Sequence, residues 1–199
     1  MLQRQKELFA QLPPEVKSFL LRSVALFIGW KLLYILVLIP KQVPDAWLVK
    51  QLGNGTASTL NVMYGTNDFF AEHTTRAKVY GRDTVMATYT MVSNSKRRVI
   101  GIYQACNGLE LMILYAGFIL CFTGSWTRKL LYIMAGLLGL FALNVLRSAL
   151  LAWVGLEYPR HFDFAHKYLF NLVIYALTFV MWVFYVKGLP KHVPDKTSP

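Results

Sequence analysis

Charge is scarce in this chain: Asp, Glu, Lys and Arg together make up 16% of its 199 residues, against about a quarter in soluble domains. With 55% apolar or aromatic residues, that deficit excludes a soluble globular enzyme, a disordered chain and a collagen-like one. Acidic residues are the scarcest charges, 10 against 21 basic ones, for a net charge of +11. Cysteine is limited to two residues, with no CxxC, so neither a disulfide framework nor a CxxC metal site is written into the chain. If Cys106 and Cys121 share a helix, the fifteen steps between them span about 22 Å, too far for a bond between them. No internal repeat or low-complexity tract is present.

Long apolar runs fill the space that charge leaves. Three windows are long enough to cross a bilayer and a fourth is close. The expected architecture is an all-α membrane protein, a four-helix transmembrane bundle over a single domain, 1–199. Its spans fall at about 18–39, 107–122, 130–154 and 166–186, with a small extracytoplasmic α/β segment at 40–105 between the first two. Residues 1–12 suit a short interfacial helix, and Pro13-Pro14 breaks it before a new helix start. The first apolar run is too long for a cleavable signal peptide, is interrupted by Lys31, and lacks a following small-x-small site.

Within 40–105, Asp45–Met63 reads as a weak helix, because Gly53 and Gly55 interrupt it. Ala77–Tyr80, Thr84–Val92 and Arg97–Ala105 read as strands, with a Gly81-Arg82-Asp83 turn between the first two. They predict a small antiparallel sheet on the membrane surface. In the third span Ala135, Gly139 and Ala142 offer a small-residue face for close packing. The tail from Gly188 is Pro-rich.

Basic residues set the orientation. Arg4, Lys6 and Lys17, then Arg128 and Lys129 in the 124–129 loop, then Lys187, Lys191 and Lys196 all fall on one side. Arg160 alone stands in the other short loop. Both termini are expected in the cytoplasm, with 40–105 and 155–165 on the outer side of the membrane.

That topology gathers reactive side chains in one leaflet. Cys106 opens the second span and His166 the fourth, while Arg147 lies about 10 Å below the outer end of the third. Glu110 falls one turn below Cys106 on the same face, and Asn144 one turn from Arg147. Lys31 lies about 12 Å below the outer end of the first span. A charge in hydrocarbon costs about 2.5–3.5 kcal/mol, so Lys31, Glu110 and Arg147 should face the bundle interior and pair. Glu110 has two candidate partners, Lys31 and Arg147. Arg22, near the cytoplasmic end, can snorkel.

Each of these residues also has an ordinary structural role: a small buried hydrophobe for Cys106, an interfacial anchor for His166, an ion pair for Arg147 and Glu110. Their coincidence at one depth fits a chemistry. A helix N-terminus and a nearby cation lower a thiol's pKa, His166 could protonate a departing amine, and Arg147 could stabilise an oxyanion. Together they describe a cysteine acyl-transfer site needing no cofactor and no metal. Other features are bland. Lys96-Arg97-Arg98 reads as a solvated strand end, Asn54-Gly55-Thr56 matches a glycosylation sequon, His161 is a loop histidine, and Glu72 with His73 are too few for a metal.

Ala-Cys-Asn-Gly-Leu-Glu (105–110), Asn-Val-Leu-Arg-Ser (144–148) and Phe-Ala-His-Lys (164–167) resemble, in order and spacing, three motifs of the exosortase/archaeosortase family. Asn107 stands where many members have serine, and four spans replace about eight. The resemblance implies a membrane transpeptidase or thiol protease whose nucleophile is Cys106, stabiliser Arg147 and general acid/base His166. Asn107, Glu110, Asn144 and Lys31 support them. It also implies its partners: exported proteins bearing a C-terminal motif, hydrophobic helix and basic tail, within membrane lipids, with a lipid or glycan as acceptor and no nucleic acid. Two rivals remain, a non-enzymatic scaffold binding a partner helix and a small transporter lined by Lys31, Glu110 and Arg147. Both predict that Cys106 is dispensable.

Overall fold

The structure is a computed structural model that describes residues 14–33, 36, 44–80, 83–122 and 124–188. The expected helix at 1–12, the 81–82 turn and the tail from 189 lie outside these residues. The elements run α1 (Pro14–Leu33), α2 (Asp45–Tyr64), β1 (Phe70–Tyr80), β2 (Asp83–Ser93), β3 (Arg98–Tyr103), α3 (Leu109–Cys121), α4 (Trp126–Glu157) and α5 (Phe170–Lys187). The chain is therefore mostly helical, with one small sheet.

Among the described residues two helical segments, Trp126–Glu157 and Pro159–Lys187, are long and apolar enough to cross a membrane. Only 22% and 17% of their most apolar windows are buried within the protein. A soluble core helix would be mostly covered, so these surfaces ask for hydrocarbon around them. Leu130, Leu131, Met134 and Leu138 on α4, and Leu172, Phe179 and Phe184 on α5, are exposed accordingly. The other two expected spans are helices of a different kind. The 13 residues of α3 reach about 20 Å, short of the roughly 30 Å of hydrocarbon in a bilayer. The described part of the first, α1, carries Glu15, Lys17, Arg22 and Lys31 within 20 residues.

The Asp45–Tyr64 segment is a full helix despite its glycines, because tertiary packing uses them. Its buried residues, Asp45, Leu48, Val49, Leu52, Gly53, Thr56, Ala57 and Leu60, recur at three- and four-residue intervals and form one stripe. A Cβ at Gly53 would overlap the Thr90 side chain of β2, and one at Gly55 would lie 3.0 Å from Val145 of α4. The absent side chains let α2 lie between the sheet and α4. The same packing buries Thr56 completely, while Asn54 is exposed on α2. Gly65, at φ +62°, ends α2 in the left-handed conformation, and Asn61 fastens that end to β1. Its amide donates to the Phe69 carbonyl and accepts from the Phe69 N–H, both at 2.9 Å.

The three strands are antiparallel in the order β1-β2-β3. β1 and β2 pair from Phe70↔Ser93 to Tyr80↔Asp83, and β3 pairs with β2 from Tyr89↔Tyr103 to Ser93↔Arg98, with an irregularity at Val92/Ser93. β1 is longer than the strand expected at Ala77–Tyr80, beginning at Phe70. The β2–β3 turn is tied by Asn94, whose Oδ1 accepts from the N–H groups of Lys96 and Arg97. Lys96, Arg97 and Arg98 are exposed, as a solvated strand end should be.

Where α4 meets its neighbours, the buried face is not the expected small-residue stripe. Ala135 and Ala142 are exposed. Gly136, Leu140, Asn144, Ser148 and Ala152 are buried instead, spaced four apart as one ridge. A Cβ at Gly136 would overlap the Tyr115 ring of α3, and the Tyr115 hydroxyl donates to the Tyr132 carbonyl (3.1 Å). This close approach fixes α3 on α4. At the other end α4 begins at Trp126, so Arg128 and Lys129 sit in its first turn rather than in a loop. Arg128 donates to the carbonyls of Tyr185 (3.0 Å) and Gly188, tying the start of α4 to the end of α5.

Candidate functional site

The passage from β3 into α3 is a tight corner, and the sequence Cys-Asn-Gly makes it. After β3 one 3-10 turn, Gln104–Cys106, leads to Gly108 at φ +76°, the residue that caps α3. Asn107 spans the corner with its side chain. Its Oδ1 accepts from the Leu109 N–H (2.9 Å), satisfying a free donor at the start of α3. Its Nδ2 donates to Asp45 Oδ1 at 2.6 Å. Asn107 and Asp45 are 2% and 4% exposed, so this is a buried, charge-assisted bond. Gly108 needs its missing Cβ twice: for the left-handed φ, and because a Cβ would overlap the Asn144 amide. Asn144 is buried and donates to the Leu140 carbonyl (3.1 Å).

The corner delivers Cys106 to the wall of a cavity of about 320 Å³. Arg147, Ser148 and Leu151 of α4 form a second wall, and Phe162 and His166 a third. The chain between α4 and α5 makes a 3-10 turn at Pro159–His161, a short helix at Phe162–Phe164 and a π-turn at Ala165–Leu169 that carries His166. The widened turn is a local departure from α-helix of the kind that often re-aims a side chain at a site. The His166 ring stacks on that of Phe162, nearly parallel at 5.9 Å. Among the described residues Arg147 Nε is buried with no hydrogen-bond acceptor. Arg147 is the one Lys or Arg among the residues that line the cavity, and its guanidinium is rich in hydrogen-bond donors.

Cys106, Arg147 and His166 are thus brought together. His161 is exposed and lies outside the lining. Asn107 and Asn144 lie behind the wall, holding the corner. Lys31 and Glu110 are elsewhere. Lys31 Nζ donates to Glu110 Oε1 at 3.3 Å, and both line a separate, mainly apolar cavity of about 420 Å³ between α1, α3 and α5. Glu110 therefore pairs with Lys31 and not with Arg147, and the two side chains are 43% and 77% exposed rather than enclosed in the bundle interior. Nor does it share a face with Cys106: the 3-10 turn and the left-handed Gly108 interrupt the helix assumed to join them, rotating Glu110 away. For the same reason Cys106 precedes the capped N-terminus of α3 instead of forming its first turn. Cys121 is buried, and both cysteines are free thiols.

Sequence reasoning missed Asp45. It was read as a helix start, and in the structure it is the buried acceptor beneath the Cys106 corner. Its one local signal was a lone acid between Pro44 and an apolar stripe. Among the described residues no group of three His, Cys, Asp or Glu side chains could hold a metal ion. His73, paired with Thr90 Oγ1 (2.9 Å), is a sheet residue whose pKa is lowered by burial and by Lys50.

No curated protein and no solved structure matches this chain. A family profile described as transmembrane exosortase matches residues 18–184, a range that takes in most of α1, the sheet and every residue lining the Cys106 cavity. The chain belongs to the transmembrane exosortase family.

Proposed function

We propose that this protein is a cysteine transpeptidase or protease that cleaves the C-terminal sorting signal of exported proteins at the outer face of the bacterial cytoplasmic membrane. Family membership supports a membrane enzyme of the sorting type. The observation that carries the finer reading is the single cavity lined by Cys106, Arg147 and His166.

In the first step Cys106 Sγ, as thiolate, attacks the scissile carbonyl carbon. The carbonyl π-electrons move onto oxygen, and that oxyanion takes hydrogen bonds from Arg147, whose Nε has no other acceptor among the described residues. Collapse reforms the carbonyl and breaks the C–N bond, while His166 as imidazolium gives the leaving nitrogen its proton. The product is a thioester on Cys106. Water, or an amine or hydroxyl of a lipid or glycan acceptor, then loses a proton to His166, attacks the thioester and releases the thiolate. In this reading the protein has four spans and both termini in the cytoplasm, with the Cys106 cavity on the outer side.

The transporter alternative needs Lys31, Glu110 and Arg147 on one path. Among the described residues Lys31 and Glu110 line one cavity and Arg147 another, which favours the enzyme. The test compares the C-termini of exported membrane-anchored proteins in cells carrying the wild-type chain or Cys106→Ala at equal expression. Loss of the C-terminal helix only with the wild-type chain is expected, and the new terminal mass identifies the acceptor. Identical termini where the gene is required would leave a scaffold as the better reading.

A further inference from the structure

The cavity at Cys106 has an unusual fourth wall. It touches Val99, Ile100, Gly101, Ile102 and Tyr103 in succession. Alternate residues of a strand point to opposite faces. Here Ile102 is 2% exposed in the core while Tyr103, 51% exposed, stacks on Tyr89 of the opposite face. A space that meets five consecutive residues meets neither face but the edge of the strand.

That edge is open. β3 pairs on one side with β2, and the order β1-β2-β3 makes it the last strand of its sheet. Every second residue of an antiparallel edge strand turns both its N–H and its C=O outward. Such edges are normally blunted by charge, proline or a covering element. β1 carries Glu72 and His73, whereas Val99–Tyr103 has no charged residue and no proline. α4 packs beside β3, and the cavity lined by both lies along the strand, which runs directly into the turn that holds Cys106.

We propose that the substrate segment is bound by strand addition: an extended peptide pairs through its main chain with the open edge of β3, between β3 and α4, and so brings a peptide bond beside Cys106. This rests on the cysteine transpeptidase reading and names its recognition mode. The occupant follows from complementarity, since a row of main-chain donors and acceptors is matched by another extended main chain. The nucleophile at the end of that row and the Arg147 donor across it both suit a peptide carbonyl. About 320 Å³ admits a short extended stretch and not a helix or a folded domain.

The test uses the full-length protein in lipid nanodiscs with alanine tetrapeptide chloromethyl ketones. Alkylation forms an S–C bond at Cys106 and expels chloride, and it is read by intact mass against a Cys106→Ala control. Four further probes each carry one N-methylated amide. The expected result is labelling faster than by chloroacetone, with N-methylation slowing it about tenfold at alternate amides and hardly at those between. Uniform effects, or none, with the peptide preference intact would overturn strand addition and leave the peptidase reading standing. A peptide ketone no faster than chloroacetone would remove both.

Discussion

Asp45 and Asn107 are separated by 62 positions in the chain and by 2.6 Å between Oδ1 and Nδ2 in the fold. The first turn of α2 is thereby fastened to the corner that presents Cys106. Asp45→Ala leaves the buried Asn107 amide without this acceptor and should cost about 1.5–3 kcal/mol of stability. Asp45→Asn, which keeps an acceptor oxygen, should retain most of it. Thermal unfolding reports the first effect. Cys106 alkylation by iodoacetamide reports whether the corner has moved, and an unchanged rate in Asp45→Ala would limit the bond to stability.

Gly108 and Asn144 form a second such pair, one the steric complement of the other. Gly108→Ala must hold a left-handed φ at about 1–2 kcal/mol and must also displace the Asn144 amide. Asn144→Ala removes the overlap but not the φ penalty. Gly108→Ala should thus be less damaging in an Asn144→Ala background, with a coupling on the order of 0.5–3 kcal/mol in a thermal-melt cycle. Strict additivity would count against the contact.

Gly136 makes the same argument for the seat of α3. A methyl group there meets the Tyr115 ring, and overpacking of this kind costs about 1–3 kcal/mol. Gly136→Ala should lower the unfolding temperature. The double variant with Tyr115→Ala should lose less stability than the two separate losses add up to, since it no longer has the overlap.

The Lys31–Glu110 pair predicts a charge-swap result. Either residue changed alone to Met leaves its partner's charge unpaired at the edge of a mainly apolar cavity, whereas Lys31→Glu with Glu110→Lys restores the pair. The swapped protein should accumulate and process substrate nearly as the wild type does, and each single variant should accumulate less in membranes. Loss of processing in a well-accumulated swap would assign one of the two a chemical role.

Arg147 should behave otherwise. Lysine keeps the charge but not the planar fork of donors, so Arg147→Lys should lower kcat by about 10²–10³-fold with little change in KM, the pattern of a lost transition-state contact. Steady-state kinetics on a processed substrate separate this from a binding defect, in which KM rises alone.

Much of this was legible because it is local. The long apolar runs became α4 and α5, and the alternating residues near 84–92 became β2. Cys106, Arg147 and His166 could be grouped because depth along a span is a matter of counting residues. Gly53 and Gly55 misled, since a glycine's local cost is visible in sequence and the neighbour it admits is not.

The sequence by itself determined that the chain suits a membrane, where its helices lie and which side chains could do chemistry, since hydropathy and periodicity are properties of neighbouring residues. Only the tertiary structure decided the pairings. Glu110 turned to Lys31 because a 3-10 turn and a left-handed glycine interrupt the helix on which its face had been counted. Asp45 reached Asn107 because α2 lies between the sheet and α4, and β3 faced its edge to the cavity for the same reason. Which way a face turns depends on every element packed against it, and no local pattern carries that information.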